Sequence, residues 1–94
     1  EEIVAGGVMN GMVVKKPAPE YPSAAKSARV SGTVVVQVLV DEKGLVISAR
    51  AVSGPNLLRG AGEDAARRAK FETTTLCGQP AKVSGVITYN FVLQ

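Results

Sequence analysis

Ser23-Ala24-Ala25-Lys26 has the Ser-x-x-Lys spacing of the penicillin-binding enzymes, in which a lysine one helical turn from a serine helps activate it as a nucleophile. Lys82-Val83-Ser84-Gly85 approximates their second element, with an inserted valine. A chain of 94 residues is far too short for that fold, so the plainer reading is a helix start followed by a solvated lysine. The sequence contains no histidine, which rules out Ser-His-Asp and Cys-His arrangements within it. Asp41-Glu42 and Glu63-Asp64 are neighbours in sequence, not carboxylates converging from separate elements, and read as a turn and a helix surface. Cys77 is the single cysteine, so no internal disulfide forms, and no basic neighbour marks its thiol as activated. One cysteine without histidine argues against a transition-metal site, and Gly60-x-Gly62 falls inside a helical pattern, not after a strand where it would cradle a phosphate. No cofactor is expected. Lys15-Lys16 and Arg67-Arg68-x-Lys70 are small basic clusters on solvated faces, and the net charge of +3 is too mild for a dedicated nucleic-acid binder.

With little side-chain chemistry in view, main-chain chemistry becomes the candidate, and the elements decide where it is offered. Val34, Val36, Val38 and Val40 alternate on one face of a first strand, while Thr33, Val35, Gln37 and Leu39 take the other. Asp41-Glu42-Lys43-Gly44 reads as a type I turn closed by a glycine bulge, and Leu45 to Val52 returns as the second strand. A bulge near Ser48 would bring Val46 and Ala49 to the same side. The last strand is placed from about Ala81 to Leu93, with Val83, Ile87, Tyr89, Phe91 and Leu93 on one face and Lys82, Ser84, Thr88, Asn90 and Gln94 on the other.

Two helices fill the intervals. A short one opens at Tyr21-Pro22-Ser23, with Tyr21, Ala25, Ala28 and Val30 toward the sheet and Gly32 as its C-terminal cap. A second spans about Asn56 to Lys70, with Leu57, Ala61, Ala65 and Ala69 as a narrow apolar stripe flanked by Leu58. Gly60 and Gly62 weaken it by roughly 1 kcal/mol each, with no reason visible in the sequence. Phe71 to Pro80 reads as a loop. Residues 1–18 form a flexible or extended lead-in, with a short edge strand at Met12–Lys15 and an extended Lys16 to Glu20; residues 19–94 form the domain.

These elements predict an α+β two-layer sandwich. Its three-stranded antiparallel sheet has the order 2-1-3, and both helices cover the valine face. Hydrophobic residues make up 46% of the chain and aromatics 4%. Such a domain buries roughly 60–65% of its unfolded surface without disulfides. The final strand is left at an edge, which is open to an extended peptide, solvated, or paired with the N-terminal segment.

The order and spacing of several short motifs resemble the TonB-type C-terminal domain. They are Tyr21-Pro22 before the first helix, Gly32-Thr33-Val34-Val35-Val36 opening a strand, and Asp41-x-x-Gly44-x-Val46 at the turn. Ala51-Val52-Ser53-Gly54-Pro55, the Ala65-Ala66-Arg67-Arg68-Ala69-Lys70-Phe71 run and Val86 to Phe91 complete the set, from about Pro19 to Leu93. Thr73 stands where the family often has a proline two residues past the phenylalanine.

The resemblance implies a non-enzymatic periplasmic domain of an energy transducer, anchored to the inner membrane in the full-length protein. The partners implied are a TonB-dependent outer-membrane transporter, whose N-terminal motif is bound by strand addition, and an ExbB/ExbD-like inner-membrane motor reached through an N-terminal helix and proline-rich spacer. A chain that opens at Glu1 without an initiator Met fits a fragment lacking those parts. Carried onto this sequence, the peptide pairs along Val83, Ser84, Val86, Thr88, Asn90 and Val92, with Pro17 and Ala18 close by. Two rivals stand beside this: an envelope sensor or scaffold domain of the same fold with another partner, and a small enzyme using Ser23 and Lys26. Edge strands of this kind also pair with themselves, so a homodimer is a further expectation.

Overall fold

The computed structural model describes residues 3–93. Glu1 and Glu2 of the lead-in, and Gln94 of the last strand's polar face, lie outside them. The elements in order are β1 (Ile3–Val8), a 3-10 turn (Asn10–Met12), β2 (Val13–Lys15), α1 (Ser23–Ser27), β3 (Gly32–Val40), β4 (Val46–Ser53), α2 (Asn56–Arg67), β5 (Lys70–Phe71), β6 (Thr74–Leu76) and β7 (Gln79–Phe91).

The sheet runs in the order β1-β7-β3-β4, with β6 also paired to the start of β7, and β2 and β5 form a separate two-stranded sheet. The class is α+β as expected, but the sheet is mixed and larger than three antiparallel strands. β7 pairs antiparallel with β3 from Gly32↔Phe91 to Val40↔Val83. On its other side it pairs in parallel with β1, from Ile3↔Lys82 to Val8↔Val86. The lead-in is therefore a strand of the main sheet, and the last strand is not the edge.

The valine alternation of β3 sets the core. Val34 and Val36 are fully buried, with Val38 and Val40 nearly so, against Ile87, Tyr89, Val83 and Phe91 of β7 on the same face. Each such side chain contributes about 1.5–3 kcal/mol by leaving water. The β3–β4 turn has the predicted form. The Gly44 N–H donates to Asp41 O at 3.0 Å, and the Asp41 carboxylate accepts from the N–H groups of Lys43 and Leu45. Register shifts between Val40↔Val46 and Leu39↔Ser48, so that Val46, Ala49 and Ala51 all pack against the core.

α2 presents a face rotated from the expected stripe. Leu58, Gly62, Ala65 and Ala66 are buried, whereas Leu57 is 45% exposed. The cause is Gly62: a Cβ there would stand 2.8 Å from Val34 Cγ1, so the glycine is the point of closest approach between helix and sheet. Gly60 has open space around it. The helix stops at Arg67, short of Lys70, because Lys70–Phe71 pairs with β2 and the Phe71 N–H donates to Gly44 O at 2.9 Å.

α1 is not capped at Gly32. Arg29 takes the left-handed conformation (φ 54°), and the N–H groups of Val30 and Arg29 donate back to Ala25 O and Lys26 O. The Tyr21 hydroxyl donates to Val30 O, and its ring meets Phe91 edge-on at 5.5 Å, seating the helix at the end of β7. Ala25 is buried, and Ala28 is exposed. The predicted loop at 71–80 is partly a hairpin, in which β6 returns into β7 through Cys77 and Gly78, both at positive φ.

Candidate functional site: the outer edge of β7

Antiparallel pairing aims the main-chain groups of alternate β7 residues away from β3. Those residues are Ser84, Val86, Thr88 and Asn90, and the structure shows what meets them. β6 pairs with Gln79–Ala81. β1 pairs with Lys82–Val86, its register breaking between Ala5 and Gly7. The Met9 N–H donates to Val86 O at 2.7 Å. Beyond Met9 a side chain replaces the strand. The Asn10 carboxamide donates from Nδ2 to Thr88 O, and Asn10 Oδ1 accepts the Thr88 N–H, each at 3.0 Å. Oδ1 also accepts from Thr88 Oγ1 at 3.3 Å. Lys16 Nζ reaches Thr88 O at 3.3 Å and lies 5.0 Å from the centre of the Tyr89 ring.

The expectation of an edge free along its length is thus corrected. From Gln79 to Thr88 that edge is filled by this chain, and the N-terminal pairing is the alternative that holds. Val83 is buried, so it offers main chain only. Ser84, Val86 and Thr88 are half-buried, and Asn90 and Val92 exposed. Asn90 Oδ1 accepts from Thr33 Oγ1 at 2.8 Å across the open face of the sheet. Val92 lies just past the end of β7. Pro17 borders a shallow depression with Lys15, Leu45, Val46 and Ala69, and Ala18 is exposed; from this segment it is Lys16 that reaches β7.

Met9, Asn10 and β1 were not legible as site residues. Asn10-Gly11 reads as a turn signal, and nothing in the sequence says that the amide faces a strand. Met9 is fully buried because β7 carries glycine opposite it: a Cβ on Gly85 would stand 2.5 Å from Met9 Sδ and 2.6 Å from Gly7 O.

At the other margin of the sheet Glu63 Oε2 of α2 accepts the Ala51 N–H at 2.8 Å, so a side chain meets the edge of β4 as well. Ser23 and Lys26 of the Ser-x-x-Lys match are both exposed on the five-residue α1. Among the described residues no group of three or more His, Cys, Asp or Glu could hold a metal ion, and no helix is long and apolar enough to cross a membrane.

Tyr89 sits beneath Lys16 with its hydroxyl buried and, among the described residues, without a hydrogen-bond partner. Burial pushes its phenol above the ordinary value of 10.0, with Arg68 pulling weakly the other way. A raised folded-state pKa gives a contribution to stability that is complete below the unfolded value and lost as pH rises through the folded one. Tyr89→Phe should therefore be neutral or stabilising by up to about 1 kcal/mol at pH 7. It should also lose less stability than the parent between pH 9 and 11. Urea unfolding of both proteins at each pH checks this, and an equal alkaline loss would contradict it.

The fold is a small α+β domain whose last long strand is completed at its outer edge by strands of the same chain. Residues 17–93 match the family model described as Gram-negative bacterial TonB protein C-terminal, and the chain belongs to that family. It is 40% identical over 77 residues to Protein TonB of Xanthomonas campestris pv. campestris strain B100, and equally to that of strain ATCC 33913. The match covers 80% of this chain and 34% of each relative, so the chain spans about a third of the length of the curated relatives it matches. β1 and β2 precede the first residue matched by the family model.

Proposed function

We propose that this chain is the periplasmic, non-enzymatic C-terminal part of a TonB-like energy transducer. It takes up an extended N-terminal segment of an outer-membrane transporter by strand addition at β7, and passes on force from an inner-membrane, proton-driven ExbB/ExbD-like motor. The observation that carries this reading is the outer edge of β7, which in a chain of this family already accepts a parallel strand. Main-chain groups at Ser84, Val86 and Thr88, once released from β1, Met9 and Asn10, supply affinity together with those at Asn90, and their side chains with Val92 tune it. Strand addition suits pulling, because hydrogen bonds loaded along the strand axis share the load and must break together.

The test is an NMR titration of the isotope-labelled domain with a synthetic peptide copying the N-terminal segment of a TonB-dependent transporter. Amide shifts centred on residues 82–92 and on β1 are expected. Saturable shifts confined to α1 and α2, or none at millimolar peptide, would overturn the reading.

A further inference from the structure

We infer that β1 with Met9 and Asn10 is a resident occupant of the β7 edge that an incoming strand must displace, and that its sequence is an imprint of the strand the edge accepts. The inference rests on the strand-addition reading above.

Four observations support exchange. β1 pairs with β7 alone, and its side chains are mostly outside the core: Ile3 is 51% exposed and Val8 68%. Its pairing is broken at Gly6-Gly7, with Gly7 at φ 60°, so the ladder is short and irregular. Its last rung is a side chain, since Asn10 makes with Thr88 the two bonds that a strand backbone would make. Finally, the segment lies outside the residues matched by the family model, whereas every strand of the β7-β3-β4 core lies inside them. Apart from the buried Met9 and the half-buried Val4 the segment makes few buried apolar contacts, and with its surrogate rung this places β1 toward the low-stability end of the fold.

The same contacts describe the incomer. It runs parallel to β7. It carries a small residue at the bulge where Gly6 lies over the Val83 side chain, because a Cβ at Gly6 would stand 2.7 Å from Val83 Cγ1. Three residues later it carries an unbranched apolar side chain for the socket above Gly85, where Met9 now sits fully buried. An uncharged peptide segment with a small residue followed by such an anchor fits; a charged or bulky one does not. Filling the Met9 socket offsets the exposure of Met9 when the resident leaves.

The experiment uses hydrogen exchange and a defined probe, the octapeptide Ile-Val-Ala-Gly-Gly-Val-Met-Asn copied from residues 3–10. In the unaltered protein the amides of residues 4–8 and the outward amides of Ser84, Val86 and Thr88 should open at least tenfold more often than those of β3. If they exchange only with global unfolding, β1 is a fixed part of the fold and the inference fails.

Asn10→Ala removes three hydrogen bonds to Thr88, two of them to its main chain, and should raise opening of Thr88 and Val86 by about tenfold. It should also strengthen binding of the octapeptide by a similar factor, while a peptide with aspartate at the methionine position stays weak. Equal octapeptide affinity for the parent and a folded Asn10→Ala protein would overturn the proposal. The probe is this chain's own sequence. Octapeptide exchange without transporter-peptide binding would keep the displaceable strand and fail only the transporter reading; transporter binding with a rigid β1 would do the reverse.

Discussion

Gly44→Ala should lower stability by about 3 kcal/mol or more, the sum of two effects that act at one atom. Gly44 sits at φ 86°, where a Cβ costs about 1–2 kcal/mol. A Cβ would also overlap the Phe71 carbonyl oxygen, and this is backbone that cannot swing aside as a side chain would. The Phe71 N–H donates to Gly44 O, and Leu45 bridges Lys70, so relieving the overlap opens the seam between the hairpin tip and β5. Phe71 is 3% exposed and belongs to the core, so its displacement extends the cost inward. Gly78→Ala is the control. Its φ is 80°, but nothing lies within 4 Å of the added atom, so it should cost only the torsional part, about 1 kcal/mol. For a domain of this size each kcal/mol moves Tm by roughly 4–8 °C. Thermal unfolding should therefore separate the two variants by 8 °C or more. Equal melting temperatures would mean that the Gly44–Phe71 approach carries no weight.

The parts of this fold that were legible before the structure are those whose side chains must choose a side. The valines of β3, the Asp41–Gly44 turn and the odd-numbered apolar positions of β7 each announce a buried face or a turn, and they stand where the pattern put them. β1 was illegible because its stabilisation comes mainly from the main chain. Ile-Val-Ala-Gly-Gly-Val shows no clean alternation, and its partner, the outer rail of β7, is defined by hydrogen-bonding groups that every residue carries. The consequence for the site is direct. The sequence points to β7 as the strand with an edge, while what fills that edge depends on a segment whose composition reads as a lead-in. Arg29 at positive φ and the Cys77-Gly78 hairpin carry little sequence signal for a related reason: left-handed backbone is expected at glycine, and a two-residue turn reads as part of the loop around it. Gly62 departs from its sequence reading in the opposite direction. Counted as a helix weakener, it is a contact, and its position fixes which side of α2 meets the sheet.

Gly62→Val should cost about 3 kcal/mol, and Gly60→Ala, two positions away, should add about 0.5–1 kcal/mol of stability. Both replace a glycine in the same helix, so propensity alone would favour each. At Gly60 nothing stands within 4 Å of the added atom and the propensity gain is realised. At Gly62 the first added carbon already meets Val34 Cγ1 at 2.8 Å and Val36 Cγ2 at 3.4 Å, and two further methyls have no space. Overpacking of this kind costs roughly 1–3 kcal/mol even where neighbours yield. Val34 and Val36 are fully buried β-branched residues with little rotamer freedom, so α2 must move away from β3. That movement has a local readout, because Glu63 adjoins Gly62 and its carboxylate holds the Ala51 N–H of β4. The Ala51 amide should lose exchange protection in Gly62→Val and keep it in Gly60→Ala. Val34→Ala combined with Gly62→Ala should be less destabilised than the sum of the two single changes by at least about 1 kcal/mol, since the smaller residue at 34 makes room for the atom added at 62. Strict additivity, or an unchanged Ala51 amide in Gly62→Val, would show that α2 is seated by its alanines and Leu58 and not by the glycine contact. The two sheet margins would then differ in kind, with the Asn10 amide on β7 set by strand pairing and the Glu63 carboxylate on β4 independent of how closely the helix approaches.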